Sequence, residues 1–246
     1  MRNIIVVLVL LATGCASATS VDKTKMAEGY YMKGLSYLEQ KDLEMASVEF
    51  QRSVQTNTKN KMSYYALGII SDMQGKPLDA EKYYREAIDI DSEFSEARNA
   101  LGVVYSKQKR WKEALKEFNK SLENKLYTTP HVPSVNIGDV YMAQHEYGKA
   151  AEAYREAKRF VNSDFTILKL GLALFEAGMI KDAIEEFQEG VALNQKNVNI
   201  RYSLALAQLK DGNKKSALVE FKKIVDLAPE SDIALKARDY IKNLKP

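Results

Sequence analysis

Reactive side chains are sparse in this chain, and few of them are placed to do chemistry. Cys15 is the sole cysteine among 246 residues, so no intramolecular disulfide can form. The other soft metal ligands are His131 and His145, which share no C-x-x-C or H-x-x-x-H spacing. A structural zinc site needs about four ligands at short, regular intervals, so none is predicted. Carboxylates are plentiful but follow surface phases, as Glu81 and Glu113 do, and no nucleophile, base and acid converge. Gly29 and Gly34 do not follow a strand, so a phosphate-cradling loop has no support. These residues predict a protein that is not an enzyme and uses no cofactor and no metal.

The surroundings of Cys15 are more specific. Arg2 is followed by an unbroken apolar run from Ile4 to Leu11, then Ala12-Thr13-Gly14. One positive charge, a short apolar core and small residues make a secretory signal. The run is too short to span a bilayer, which takes ~20 apolar residues. With the cysteine directly after the small residues, the stretch resembles the lipobox of bacterial lipoproteins, although Ala12 stands where leucine is more usual. That resemblance implies a signal peptide over 1–14, cleavage before Cys15, and acylation of its sulfur and new amine with chains such as palmitate. Ala16 in place of Asp implies the outer membrane, with the body facing the periplasm. The alternative is an ordinary signal peptide with a stray cysteine, an exposed thiol that an oxidising compartment disfavours. Residues 15–26, small, polar and without apolar periodicity, are expected to form a lipidated tether.

The elements that would carry a function are repeats. Ala46, Ala80, Ala114, Ala150, Ala183 and Ala217 recur at 33 to 36 residues. Four residues after each comes an aromatic (Phe50, Tyr84, Phe118, Tyr154, Phe187, Phe221), and twelve before each comes Gly34, Gly68, Gly102, Gly138, Gly171 or Ala205. A period of this length marks stacked helix pairs. Within a pair, Tyr64, Leu67 and Gly68, or Ile167, Leu170, Gly171 and Leu174, share one helix face. The small residues let the helices cross closely, and the aromatic is expected to fill space toward the neighbouring repeat. Gly75, Gly178 and Gly212 mark turns, and Leu43, Leu78, Trp111, Tyr147 and Ile180 start second helices as packing residues.

This pattern resembles the tetratricopeptide repeat. The resemblance implies an all-α fold, a right-handed α-solenoid of six helix pairs over 27–231, with repeats starting near 27, 61, 95, 131, 164 and 198. Arg98 and Arg201 depart from it by replacing a bulky apolar residue. Ile233, Ala234, Ala237, Ile241 and Leu244 keep helical spacing, so 232–246 is read as a C-terminal capping helix.

Composition narrows the partners. Lys plus Arg is 36 and Asp plus Glu is 33, interspersed, with no basic arm, so no nucleic-acid partner is predicted. A small-molecule substrate has no site either. In tetratricopeptide solenoids the first helices line an inner groove. Carried onto this sequence, those positions are Tyr31, Leu35, Met62, Tyr65, Ile69, Met73, Leu168, Leu172, Phe175, Tyr202, Leu206 and Leu209. Such an apolar lining suits a segment of another protein, or packs against the solenoid itself.

The lipobox, tether, six repeats and terminal helix together, with Leu126-Tyr127-Thr128-Thr129-Pro130 and Asn136-Ile137-Gly138, are similar to the type IV pilus biogenesis lipoproteins, the secretin pilotins. His131-Val132-Pro133-Ser134 departs from that family's more acidic, aromatic stretch. The resemblance implies a membrane-tethered protein-binding scaffold that assists assembly of an outer-membrane secretin, with a secretin subunit as partner. A tetratricopeptide lipoprotein adaptor for other envelope proteins, such as cell-wall hydrolases, is the alternative.

Overall fold

The computed structural model describes the backbone of residues 2–244 and the side chains of 21–244. The lipidation at Cys15 and the signal peptide over 1–14 therefore lie outside the described side chains. The described residues form thirteen helices and no strand, in two compact units. The first unit holds α1 (Arg2–Glu39), α2 (Leu43–Thr56), α3 (Lys61–Met73), α4 (Pro77–Ile90), α5 (Ser95–Lys107) and α6 (Trp111–Glu123). The second holds α7 (His131–Ala143), α8 (Tyr147–Phe160), α9 (Asp164–Glu176), α10 (Ile180–Leu193), α11 (Val198–Lys210), α12 (Lys214–Leu227) and α13 (Asp232–Leu244). Within each unit, every first helix packs on the second helix of its repeat, and that helix on the next first helix.

The first five repeats close in the same way. The six phase alanines are fully buried. A Cβ built on Gly34 would stand 2.6 Å from the Phe50 ring, and Gly68, Gly102, Gly138 and Gly171 meet Tyr84, Phe118, Tyr154 and Phe187 in the same way. The aromatic therefore lies on the glycine of its own repeat rather than mainly filling space toward the next, as its position alone had suggested. A flat ring this close leaves no room for a Cβ, so these five repeats carry glycine. Neighbouring repeats meet at other positions: Gly190 on α10 lies against Ile167 and Ile200.

The turn between paired helices also repeats. Lys41, Gly75, Lys109, His145, Gly178 and Gly212 all hold positive φ. Gly75, Gly178 and Gly212 do so without steric cost, whereas Lys41, Lys109 and His145 adopt the same left-handed conformation against their preference. His145, one of the two histidines weighed as a ligand, is thus a turn residue, its Nδ1 2.7 Å from the Tyr147 hydroxyl.

Two expectations are corrected. Residues Val21–Met26, read as part of a tether, belong to α1, because no glycine or proline interrupts the chain between Cys15 and Glu28. Leu78, read as a packing residue, is 75% exposed. Pro77 takes the first position of α4, where its missing N–H costs nothing and where Leu43, Trp111, Tyr147 and Ile180 stand in other repeats; Leu78 is the next residue and points to solvent, as Glu44 and Lys112 do.

The two arginine departures are paired. Arg98 Nη1 donates to Glu117 Oε2 at 2.8 Å, and Arg201 Nη1 to Glu220 Oε2 at 2.6 Å. Each Nε also takes a backbone carbonyl of the preceding linker, Ser92 and Gln195 respectively. A buried charge is tolerable only when paired and hydrogen-bonded, and both pairs meet that condition.

At the other limit of the first unit, α1 presents Gly29, Lys33 and Ser36, all exposed. In α3, α5, α9 and α11 the last two positions are buried apolar pairs such as Leu67 with Ile70, or Leu204 with Ala207, packed against the preceding helix pair. Lys33 instead bonds the buried Glu49 at 3.0 Å. This polar face is what a stacked array needs where stacking stops.

Candidate protein-binding site

In the second unit the first helices α7, α9 and α11 line an apolar trough made of three adjoining hollows. The largest, about 420 Å³, is lined by Val132, Val135 and Asp139 of α7, by Val161 of the linker between α8 and α9, and by Phe165 of α9. The next, about 200 Å³, shares Asp139 and Phe165 and adds Met142, Leu168 and Leu172. The third, about 130 Å³, shares Leu172 and continues over Phe175 to Leu206 of α11, with Phe187 below. Phe165 is 54% exposed, an unusual cost for a phenyl ring, and Leu172 sits at the same surface.

One polar knot interrupts the trough. The Tyr154 hydroxyl donates to Asp139, and Lys169 Nζ lies 2.6 Å from the same carboxylate oxygen. Burial, reinforced by the Asp139 carboxylate, pushes the Tyr154 hydroxyl far above its ordinary pKa, so it stays a neutral donor. Lys169 also lies over the Tyr154 and Phe165 rings, and Lys210 Nζ stands 4.4 Å above Phe175. These charges leave apolar ring and leucine surface open between them. The arrangement can hold apolar side chains of a peptide and orient its polar backbone; it supplies no nucleophile or base.

The structure brings together Leu168, Leu172, Phe175 and Leu206 of the residues expected in a groove. Tyr202 and Leu209 pack instead against the closing core of α11, α12 and α13. The Tyr202 ring is 6.0 Å from Phe221 and 6.3 Å from Tyr240, so it is engaged with the cap. In the first unit, Tyr31 and Leu35 pack on the cluster around Phe50 and Leu67, and Tyr65 tilts against Tyr84 and Phe94. Ile69 is half-buried there, and Met62 and Met73 are exposed. Reasoning from the sequence missed Val132, Val135, Asp139 and Met142. They occupy positions 2, 5, 9 and 12 of the fourth repeat, the same phase that located Leu168 and Leu172, so the signal was present. His131 borders the largest hollow. Among the described residues, no group of three His, Cys, Asp or Glu side chains could hold a metal, and no helix is long and apolar enough to cross a membrane.

Glycine-floored helix pairs with an apolar trough on their first helices define a class, and the chain belongs to it: it is a tetratricopeptide-repeat protein, of a non-enzymatic, protein-binding fold. Three models of that repeat match residues 27–60, 73–125 and 171–212, together just over half of the chain. The type IV pilus assembly protein PilF of Pseudomonas aeruginosa is 24% identical over 154 residues, 60% of this chain and 61% of that protein. The human intraflagellar transport protein 88 homolog is 26% identical over 153 residues, 60% of this chain but 18% of that protein. The chain thus spans less than two thirds of the length of both relatives. The solved structure of Pseudomonas aeruginosa PilF covers 89% of this chain and 99% of its own, with a TM-score of 0.71 and 19% identity. That of PilW, a widely conserved type IV pilus biogenesis factor, covers 86% and 98%, with a TM-score of 0.70 and 18% identity. At these identities the solved structures establish the fold, and the chain is related to type IV pilus biogenesis proteins through it.

Proposed function

We propose that this protein is a lipid-anchored scaffold that assists assembly of an outer-membrane secretin in type IV pilus biogenesis. Acyl chains on Cys15 hold it at the periplasmic side of the outer membrane. The trough on α7, α9 and α11 captures an apolar segment of a secretin subunit and shields it until the subunits associate. No bond is made or broken. The observation that carries the binding role is the trough itself, where Phe165 and Leu172 are exposed and the half-buried Leu168, Phe175 and Leu206 line the hollows beside them. The pilus assignment is supported by PilF and PilW, whose solved chains are covered almost from end to end.

The test is a cross-linked pull-down from cell envelopes with partners identified by mass. Leu172→Asp with Phe175→Asp should cut recovery of the secretin roughly tenfold, since a few buried apolar anchors carry most of an interface. Circular dichroism should stay helical, because neither residue is fully buried. Undiminished capture would remove the trough as the site, and recovery of cell-wall hydrolases in place of a secretin would overturn the pilus assignment.

A further inference from the structure

The first unit carries a charged pocket that the trough does not use. It lies among α4, α5 and α6, with a volume of about 340 Å³, and its charged lining is Arg85, Asp89, Arg98, Lys116, Glu117 and Lys120. A second hollow of about 260 Å³ adjoins it, sharing Arg98 and Lys120. Ligand pockets run from about 300 to 1,000 Å³, so the pair is large enough for a small molecule or a short side-chain cluster.

Arg98 lines both hollows and is only 8% exposed. Its Nε and Nη1 are committed, at 2.8 Å each, to Ser92 O and Glu117 Oε2. Those two bonds fix the guanidinium plane. Nη2 has no protein partner among the described residues, so its N–H donors remain open to the hollow on a guanidinium held in place by the other two nitrogens. Lys116 and Lys120 stand one turn apart on α6 and make no ion pair within the described residues. Arg85 is matched by Glu81 at 2.9 Å and also bonds the Tyr105 hydroxyl. In the larger hollow, with Arg85 and Arg98 each set against a partner, two ammonium groups face one carboxylate, Asp89; the adjoining hollow adds Glu93 and Glu123 on the far side of Lys120. Ile88 and Leu101 form apolar wall beside them, which lowers the local dielectric and strengthens the field of the spare charge.

The sixth repeat is an internal control. Arg201 and Glu220 reproduce the Arg98–Glu117 pair there, linker carbonyl included. Lys223, the counterpart of Lys120, is spent on Glu220 Oε1 at 3.1 Å. The counterparts of Lys116, Asp89 and Arg85 are Val219, Ala192 and Gln188. The arginine–glutamate pair is therefore a packing device that works without the surrounding charges. The sixth repeat has no pair of free lysines beside its arginine, whereas the third has two beside a cavity.

We propose that this pocket binds an oxyanion, a carboxylate or phosphate group. Arg98 Nη2 supplies oriented, charge-assisted donors, and Lys116 and Lys120 supply charge at the rim. The group comes either from a free small molecule or from an acidic segment of a partner protein, and the chemistry at the pocket is the same.

The full-length chain is titrated calorimetrically with inorganic phosphate and, separately, with a tetraglutamate peptide, using tetraglutamine as the neutral control. At least one anion should bind with a dissociation constant of roughly millimolar or tighter, and tetraglutamine should not. Lys116→Gln with Lys120→Gln should weaken that binding about tenfold, whereas Lys236→Gln with Lys242→Gln, an equal charge change on α13, should leave it intact. Phosphate binding identifies a free ligand, and a response to tetraglutamate alone identifies an acidic segment; either supports the site. No heat from either anion, or equal affinity in the α6 variant, overturns it. Leu172→Asp with Phe175→Asp should not change the titration, so this site and the trough fail or stand separately.

Discussion

At the residue scale, the decisive contact is a ring lying on a glycine. Phe187 covers Gly171 so closely that any Cβ there must displace the ring, and the ring is fully buried. Gly171→Val should therefore destabilise by about 1–3 kcal/mol through overpacking, read as a lower urea midpoint at unchanged slope. Gly148→Ala is the control. It lies in α8 with nothing near its missing Cβ, so the change should be neutral or stabilising. Ala205 stands at the glycine position of the sixth repeat, where Phe221 stacks on Tyr240 of α13 at 4.7 Å. That repeat closes against the cap, so its floor is under a different constraint. The glycine–aromatic phase was plain in the amino-acid order. That the ring lies on its own repeat's glycine was not, because a period states which residues recur and not which of them touch.

At the element scale, Arg98 and Glu117 join a linker, a first helix and a second helix through one buried pair. Removing one member leaves a buried charge without a partner. Glu117→Leu should cost about 3–5 kcal/mol, and adding Arg98→Leu should restore most of it, since apolar replacement of both members is often neutral. Urea denaturation of the single and double variants checks this; a double variant no better than the single would show that the bond from Arg98 to Ser92 O dominates. The two arginines looked like departures in the sequence. Their partners lie 19 residues away, and only the crossing of the paired helices brings them together. Leu78 illustrates the same limit in reverse. It looked like a packing residue, yet Pro77 holds that phase and Leu78 stands one position beyond it.

At the scale of the whole molecule, function depends on where the repeats are held and what they present. Each buried CH₂ of an acyl chain contributes ~0.8 kcal/mol, and two or more chains make anchoring stable. On the proposed anchoring, Cys15→Ala should move the protein from the membrane fraction to the soluble periplasmic fraction, read by fractionation and immunoblot; retention in the membrane without acylation would remove the lipid from the mechanism. The two units present different chemistry: the first an anion-sized pocket among α4, α5 and α6, the second an apolar trough on α7, α9 and α11.

The repeat period, the helix pairs, the buried alanines and the cap were all determined by the order of amino acids. Each repeat touches only its neighbours, so local pattern and tertiary contact carry the same information. The tertiary structure alone decided which residues of a shared phase remain open. Leu168 and Phe175 border the trough while Tyr202 and Leu209, at the same repeat positions, pack into the core that α11 and α12 share with α13. It also decided that Arg98 faces a cavity with a donor to spare. Exposure depends on what packs across from a side chain, and that neighbour lies in another helix rather than in the same run of sequence.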